Sequence, residues 1–160
     1  MADFYQNGIV TTLHNLTDRP VEDLERELMS FSRLRPMSLV LPSLFSELEG
    51  PALSNIIDEV AQVPYLNEIV IGLDRADQSQ YEFAQKFFSK LPQHHRILWN
   101  DGPRLRKLDE MLAEKGLSPT EMGKGRNVWY CYGYVLASGR AESVALHDCD
   151  IVTYDRSLLA

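Results

Sequence analysis

Residues 37–74 read MSLVLPSLFSELEGPALSNIIDEVAQVPYLNEIVIGLD, and the fold turns on them. MSLVLP (37–42) is a short apolar run of the kind that suits a buried strand. PALSNIIDEVAQV (51–63) has proline at its start and the length of a helix. EIVIGLD (68–74) is a second apolar strand. A strand, a crossing helix and a second strand predict a right-handed βαβ unit with parallel strands.

The same alternation continues outward. QSQYEFAQKFFSKL (78–91) predicts an amphipathic helix, HRILWN (95–100) a third strand, and residues 103–115 a basic-acidic helix. After the loop GLSPTEMGKG (116–125) comes the helical stretch RNVWYCYGYVLAS (126–138), closed by Gly139. ESVALHD (142–148) then reads as a fourth strand. The expected fold is α/β, a Rossmann-like and mainly parallel sheet flanked by helices. Near-continuous apolar strands fit a sheet covered on both faces. Toward the N-terminus, residues 20–34 predict a helix with Leu24, Leu28 and Phe31 at helical spacing. GIVTTLHNL (8–16) reads as a short strand or an ordered arm. The division expected is an arm and helix over 1–35, followed by one domain over 36–160.

The 160 residues suffice for one domain with a real core, and the 44% apolar, 24% charged composition is that of a soluble globular protein. The net charge of −7 argues against nucleic acid or anionic lipid as a partner. No apolar run approaches a membrane span. MADFYQNGIV lacks the features of a secretory signal, so a cytoplasmic location is expected. Cys131 and Cys149 are too few for a disulfide framework and read as ordinary thiols.

Ligands of parallel α/β sheets bind at the carboxyl ends of the strands, where this sequence places Pro42, Asp74, and the pair Asp148 and Asp150. In His147-Asp148-Cys149-Asp150, two carboxylates one residue apart follow an apolar strand. Such a pair can share Mg²⁺ or Mn²⁺, hard cations that keep positions open for phosphates, or it can be a solvated turn. Gly123-Lys124-Gly125 precedes a helix whose N-terminus favours an anion, and Lys124 adds a charge. It lacks P-loop spacing and reads equally as a flexible loop. Leu41, Pro42, Ser43 and Leu44 form a turn on which a nucleobase could pack, with Glu47 and Glu49 nearby as acceptors. The alternative is an ordinary strand-ending turn. Asp74 and Asp77 either meet a base or ribose, or cap the helix that follows. His94 and His95 suit a surface role. Trp129 and Tyr132 share one helix face, and Tyr130 and Tyr134 another, as core or partner surface. Nothing forms a Ser-His-Asp or Cys-His arrangement.

Taken in order, MSLVLPSL with Glu47, EIVIGLD, GKG and HDCD resemble the donor-binding half of glycosyltransferases with the GT-A fold. The closer likeness is to glucosyl-3-phosphoglycerate synthases and related retaining enzymes, and it runs over residues 36–155. Two departures stand out. LPSLFSE places Phe45 and Ser46 where the family's LPALNEE-like segment has Asn-Glu, and GLDRAD replaces an Asp-Ser form. The resemblance implies transfer of a hexose such as glucose from a nucleoside diphosphate sugar such as UDP-glucose. The acceptor would be a small phosphorylated molecule such as 3-phosphoglycerate, with retention at the anomeric carbon. It implies Mg²⁺ or Mn²⁺ on Asp150, Asp148 nearer the ribose and sugar, and Lys124 at the nucleotide end. Pro42, Ser43, Leu44, Glu47 and Asp74 complete the expected nucleotide site, and a homodimer is one assembly compatible with it. Family chains are longer, so an acceptor half and a further metal ligand, usually His, are expected beyond this stretch. The competing readings are a sugar nucleotidyltransferase, which would want a basic Gly-rich loop after the first strand, and a non-catalytic nucleotide-sugar-binding or interaction module.

Overall fold

The computed structural model describes residues 19–119 and 121–160; the arm predicted at 8–16 lies outside them. Four parallel strands form one sheet in the order β3-β2-β1-β4: β1 (Met37–Leu44), β2 (Leu66–Asp74), β3 (His95–Trp99) and β4 (Ser143–Leu146). The helices are α1 (Val21–Ser32), α2 (Pro51–Val60), α3 (Gln78–Phe88), α4 (Pro103–Ala113) and α5 (Lys124–Ser138). Short 3₁₀ turns occupy Phe45–Glu49 and Arg156–Leu158.

Alternation along the central strands assigns the helices to faces. Leu39 and Leu41 of β1 and Ile69, Ile71 and Leu73 of β2 point to one side, where they pack with Leu53, Ile56 and Ile57 of α2 and Ala84 and Phe88 of α3. Val40 and Val70 point to the other side and meet Cys131 and Val135 of α5. Because both faces of β1 and β2 are covered, these strands read as unbroken apolar runs. Edge strand β4 leaves Val144 and Leu146 exposed, so coverage of both faces does not extend to it. β2 and β3 lie on one side of β1 and β4 on the other, with α5 crossing the opposite face from α2 and α3. The carboxyl ends of β1 and β4 therefore flank the point where the winding reverses, which is where open α/β sheets form their binding crevice.

Several boundaries differ from expectation for local reasons. β1 runs past Pro42 to Leu44. The His147 N–H donates to the Val40 carbonyl (3.1 Å), so even-numbered β1 residues turn their peptide groups toward β4. β4 pairing stops at Val40–Leu146, and Pro42, lacking an N–H, faces past the end of that strand. Helix α5 begins at Lys124, two residues earlier than expected, so Lys124 and Gly125 form its first turn. It ends at Gly139, whose φ of 61° gives a left-handed C-terminal cap.

Long-range polar contacts tie the edges together. Arg156 reaches Glu22 (3.1 Å) and the buried Glu25 (3.5 Å) of α1, and Gln62 (3.0 Å) just beyond α2. Glu25 and Leu28, rather than the exposed Phe31, are where α1 meets the rest. Glu68, fully buried in β2, accepts from the Tyr134 hydroxyl (2.9 Å) and faces His94 Nε2 (3.2 Å). His94 thus has an acidic partner from a neighbouring strand that sequence spacing did not show.

Candidate nucleotide and metal site

At the carboxyl ends of β1 and β2 lies a cleft of about 180 Å³, lined by Pro42, Ser43, Leu44, Glu47, Asp74, Arg75, Gly123, Lys124 and Asn127. Six of the eight site residues singled out in the sequence fall together here. The turn after β1 is held by its own polar groups. The Glu47 carboxylate accepts the Leu44 N–H (2.9 Å), and the Ser43 hydroxyl donates to the Leu44 carbonyl (3.0 Å). Phe45 turns away and packs edge-on against Phe83 of α3, with centroids 5.9 Å apart. Ser46 is exposed, so Glu47 is the acid this turn presents to the cleft.

The register pairs Leu44 with Asp74 and so brings the ends of β1 and β2 level. Asp74 is buried and meets the Arg126 guanidinium (3.4 Å). Asp77, the other acid of GLDRAD, caps α3 instead. It accepts from the Gln80 N–H (2.9 Å) and the Ser79 hydroxyl (2.8 Å), which hold its carboxyl below the usual range. Asp77 thus takes the capping role, while Asp74 stays at the cleft.

The N-terminus of α5 forms the opposite wall. Its N-cap is Gly123, with no side-chain cap, so the first-turn amides are left for another acceptor. The helix is seated by Asn127, which donates to the Gly72 carbonyl (2.9 Å). A Cβ on residue 72 would come within 1.8 Å of Asn127 Oδ1 and 2.7 Å of Cys131 Sγ, so only glycine admits this approach.

Asp148 does not line the cleft itself but pairs with Lys124, which does. Between the two acids, Cys149 is buried in the main core. Burial pushes its thiol well above the usual range, and the nearby Glu47 pushes the same way. Buried Cys149 pins the turn, and His147 pins it again through the Tyr154 hydroxyl (2.8 Å). Burial lowers the His147 pKa, against the opposing effect of Asp148. Asp148 is half-exposed and Asp150 exposed, outside the cleft lining. Among the described residues no three His, Cys, Asp or Glu side chains converge as a metal cage. Two hard carboxylates on a pinned turn fit a cation such as Mg²⁺ or Mn²⁺, which takes its other ligands from water and phosphate.

Three neighbours of the site went unread in the sequence: Arg75, Arg126 and Asn127. Asn127 follows Lys124 by three residues, one helical turn, and that spacing was a usable signal. Arg126 is recognisable only once its contact with Asp74, 52 residues away, is known. Arg75 has φ 56°, a backbone state that nothing in Asp-Arg-Ala-Asp announces.

No family model matches the chain. It is 47% identical over 160 residues to the glucosyl-3-phosphoglycerate synthase of Persephonella marina, a match covering 100% of this chain and 40% of that protein. The glucosyl-3-phosphoglycerate synthase of Methanococcoides burtonii is 36% identical over 160 residues, covering 99% of this chain and 38% of that one. The chain therefore spans about two-fifths of the length of these curated relatives. A crystal structure of glucosyl-3-phosphoglycerate synthase from Mycobacterium tuberculosis, in complex with Mn²⁺, uridine diphosphate and glucosyl-3-phosphoglycerate, matches with a TM-score of 0.53. That match has 18% identity and covers 84% of this chain and 40% of the other, a likeness of fold. In sequence along its whole length, and in its parallel α/β sheet, the chain is similar to a part of the GT-A-type glucosyl-3-phosphoglycerate synthases.

Proposed function

We propose that this chain forms the donor-binding part of a metal-dependent glycosyltransferase. The reaction moves glucose from a nucleoside diphosphate sugar to a small phosphorylated acceptor, 3-phosphoglycerate, with retention at the anomeric carbon. The observation that carries this reading is the 47% identity along the entire chain to a glucosyl-3-phosphoglycerate synthase. The cleft supports it, since it lies where a parallel sheet presents ligands.

The nucleoside end packs on Pro42 and Leu44, beside the Glu47 carboxylate. The diphosphate faces the open amides of α5 and Lys124. In the structure Lys124 is paired with Asp148, and a bound diphosphate offers it a second anionic partner. Asp148 and Asp150 would hold Mg²⁺ or Mn²⁺, which offsets the charge of the departing diphosphate when bound. In the transfer, the bond from the anomeric carbon to the diphosphate oxygen breaks and a bond to the acceptor hydroxyl oxygen forms, with loss of the hydroxyl proton. Lys124 and the α5 amides stabilise the charge that grows on the leaving oxygen. The acceptor site falls to the part of the relatives that this chain does not span. A cytoplasmic location and a homodimer go with the reading. Among the described residues no helix is long and apolar enough to cross a membrane, and Trp129, Tyr132 and Leu136 of α5 form an exposed apolar stripe for a partner surface. The test incubates the intact protein with a panel of nucleoside diphosphate sugars, 3-phosphoglycerate and Mn²⁺, and assigns the anomeric product by NMR. An α-linked glucosyl product lost with EDTA is expected; free nucleotide without product, whatever the donor, would refute transfer.

A further inference from the structure

The geometry points to Arg75 as the residue that selects the nucleobase, by donating to acceptor atoms on the base edge. The inference rests on the donor-site reading above. Arg75 lines the cleft with an exposed side chain, yet makes no hydrogen bond or ion pair among the described residues. Its cleft neighbours are engaged: Lys124 with Asp148, and Asp74 with Arg126. Its backbone is held in the left-handed region at φ 56°, which is unfavourable for a residue with a Cβ. That state is imposed from outside the turn. The Trp99 indole N–H donates to the Ala76 carbonyl (2.7 Å), and the Asp101 carboxylate accepts the Ala76 N–H (3.1 Å). Trp99 is itself fixed by stacking on Tyr81, with centroids 4.7 Å apart. A strained residue followed by one clamped at both its backbone N–H and its carbonyl, with its own side chain left free in a cleft, has the pattern of a ligand contact.

Strand order determines which part of the nucleotide it meets. The acids that suit a metal and diphosphate follow β4, the apolar turn follows β1, and Arg75 follows β2. Neighbouring strands are ~4.8 Å apart, so the ends of β4 and β2 are separated by roughly 10 Å, the scale of a nucleoside. Arg75 therefore faces the base. A guanidinium has five donors and no acceptor. It suits uracil, with its carbonyl oxygens, and guanine, with O6 and N7, over cytosine and adenine, which present an amino donor on that edge.

The test is calorimetric titration of UDP, GDP, CDP and ADP, each with Mn²⁺, into the intact wild type, Arg75→Ala and Arg75→Gly. The wild type is expected to bind UDP and GDP about tenfold or more tightly than CDP and ADP. Both variants should bring the four nucleotides within about threefold of one another, chiefly by weakening UDP and GDP. Arg75→Gly should melt at or above the wild-type temperature, because it relieves the backbone strain. An unchanged base ranking in Arg75→Ala would overturn the assignment of Arg75 alone. Failure of the wild type to bind any of the four would overturn the donor-site reading and this assignment with it.

Discussion

Replacing Gly72 with alanine should damage both the fold and the site, and the structure sets the size of the effect. The new methyl would stand 1.8 Å from Asn127 Oδ1, 2.8 Å from its Cγ and 2.7 Å from Cys131 Sγ. Asn127 cannot keep its 2.9 Å bond to the Gly72 carbonyl and also clear that methyl, so it must swing away or carry α5 with it. Overpacking of a tight interior costs about 1–3 kcal/mol. The buried Asn127 amide left unpaired costs a further ~1–3 kcal/mol. The sum, about 2–6 kcal/mol, lowers Tm by roughly 4–24 °C in a protein of this size. Asn127→Ala alone should cost about 1–3 kcal/mol. The double variant removes the oxygen clash, so its loss should fall short of the sum of the singles by about 1–2 kcal/mol. Urea and thermal melts of the four proteins complete the cycle. A Gly72→Ala protein that melts within about 2 °C of wild type, or a strictly additive double variant, would refute the claim that this contact seats α5.

Three further outcomes are expected. Lys124→Ala should weaken nucleoside diphosphate binding about ten- to a hundredfold, as loss of ~1.5–3 kcal/mol from a charged hydrogen bond implies, measured by titration calorimetry. Its melting temperature should barely change, because the Lys124–Asp148 pair is about half-exposed on both sides. Asp150→Ala in the intact protein should reduce transfer by about 10³, equivalent to ~4 kcal/mol of transition-state stabilisation, while the exposed position leaves the melt unchanged; transfer within a few-fold of wild type would make this acid only part of a turn. Asp109 accepts hydrogen bonds from Ser118 (2.5 Å) and Tyr130, which hold its carboxyl below the ordinary value of 3.8. A lowered folded pKa stabilises above the unfolded value, and that contribution is lost as pH falls through the folded one. Asp109→Asn should therefore melt lower than wild type at pH 7, with the gap closing below about pH 4.

How much was legible in the sequence follows from what each segment contacts. Val40, Leu41, Val70 and Ile71 are buried on both faces of the sheet, so their runs are apolar without interruption and announced the strands. α4 has no buried residue and was legible through Pro103 at its first turn and its charge pattern. Pro42 marked a turn to sequence reasoning, yet β1 passes through it, since the cost of a missing N–H depends on where a neighbouring strand stops. The cleft residues were legible because strand ends and a glycine-flanked helix start have local signatures. Arg126 and Arg75 were not, because one depends on a partner 52 residues away and the other on a clamp from Trp99 and Asp101. The coupling of Arg156 to α1 spans more than 130 residues and leaves no periodic trace.

A crystal structure of the intact protein with UDP and Mn²⁺ would show whether the nucleotide of a sugar donor binds across the ends of β1 and β2 against the start of α5. The base is expected over Pro42 and Leu44 and within reach of Arg75. The diphosphate is expected at Lys124 and the α5 amides, with the metal on Asp148 and Asp150. Nucleotide density elsewhere would contradict this placement, for example in the wider hollow formed by Tyr81, Gln85, His95, Arg96 and Ile97.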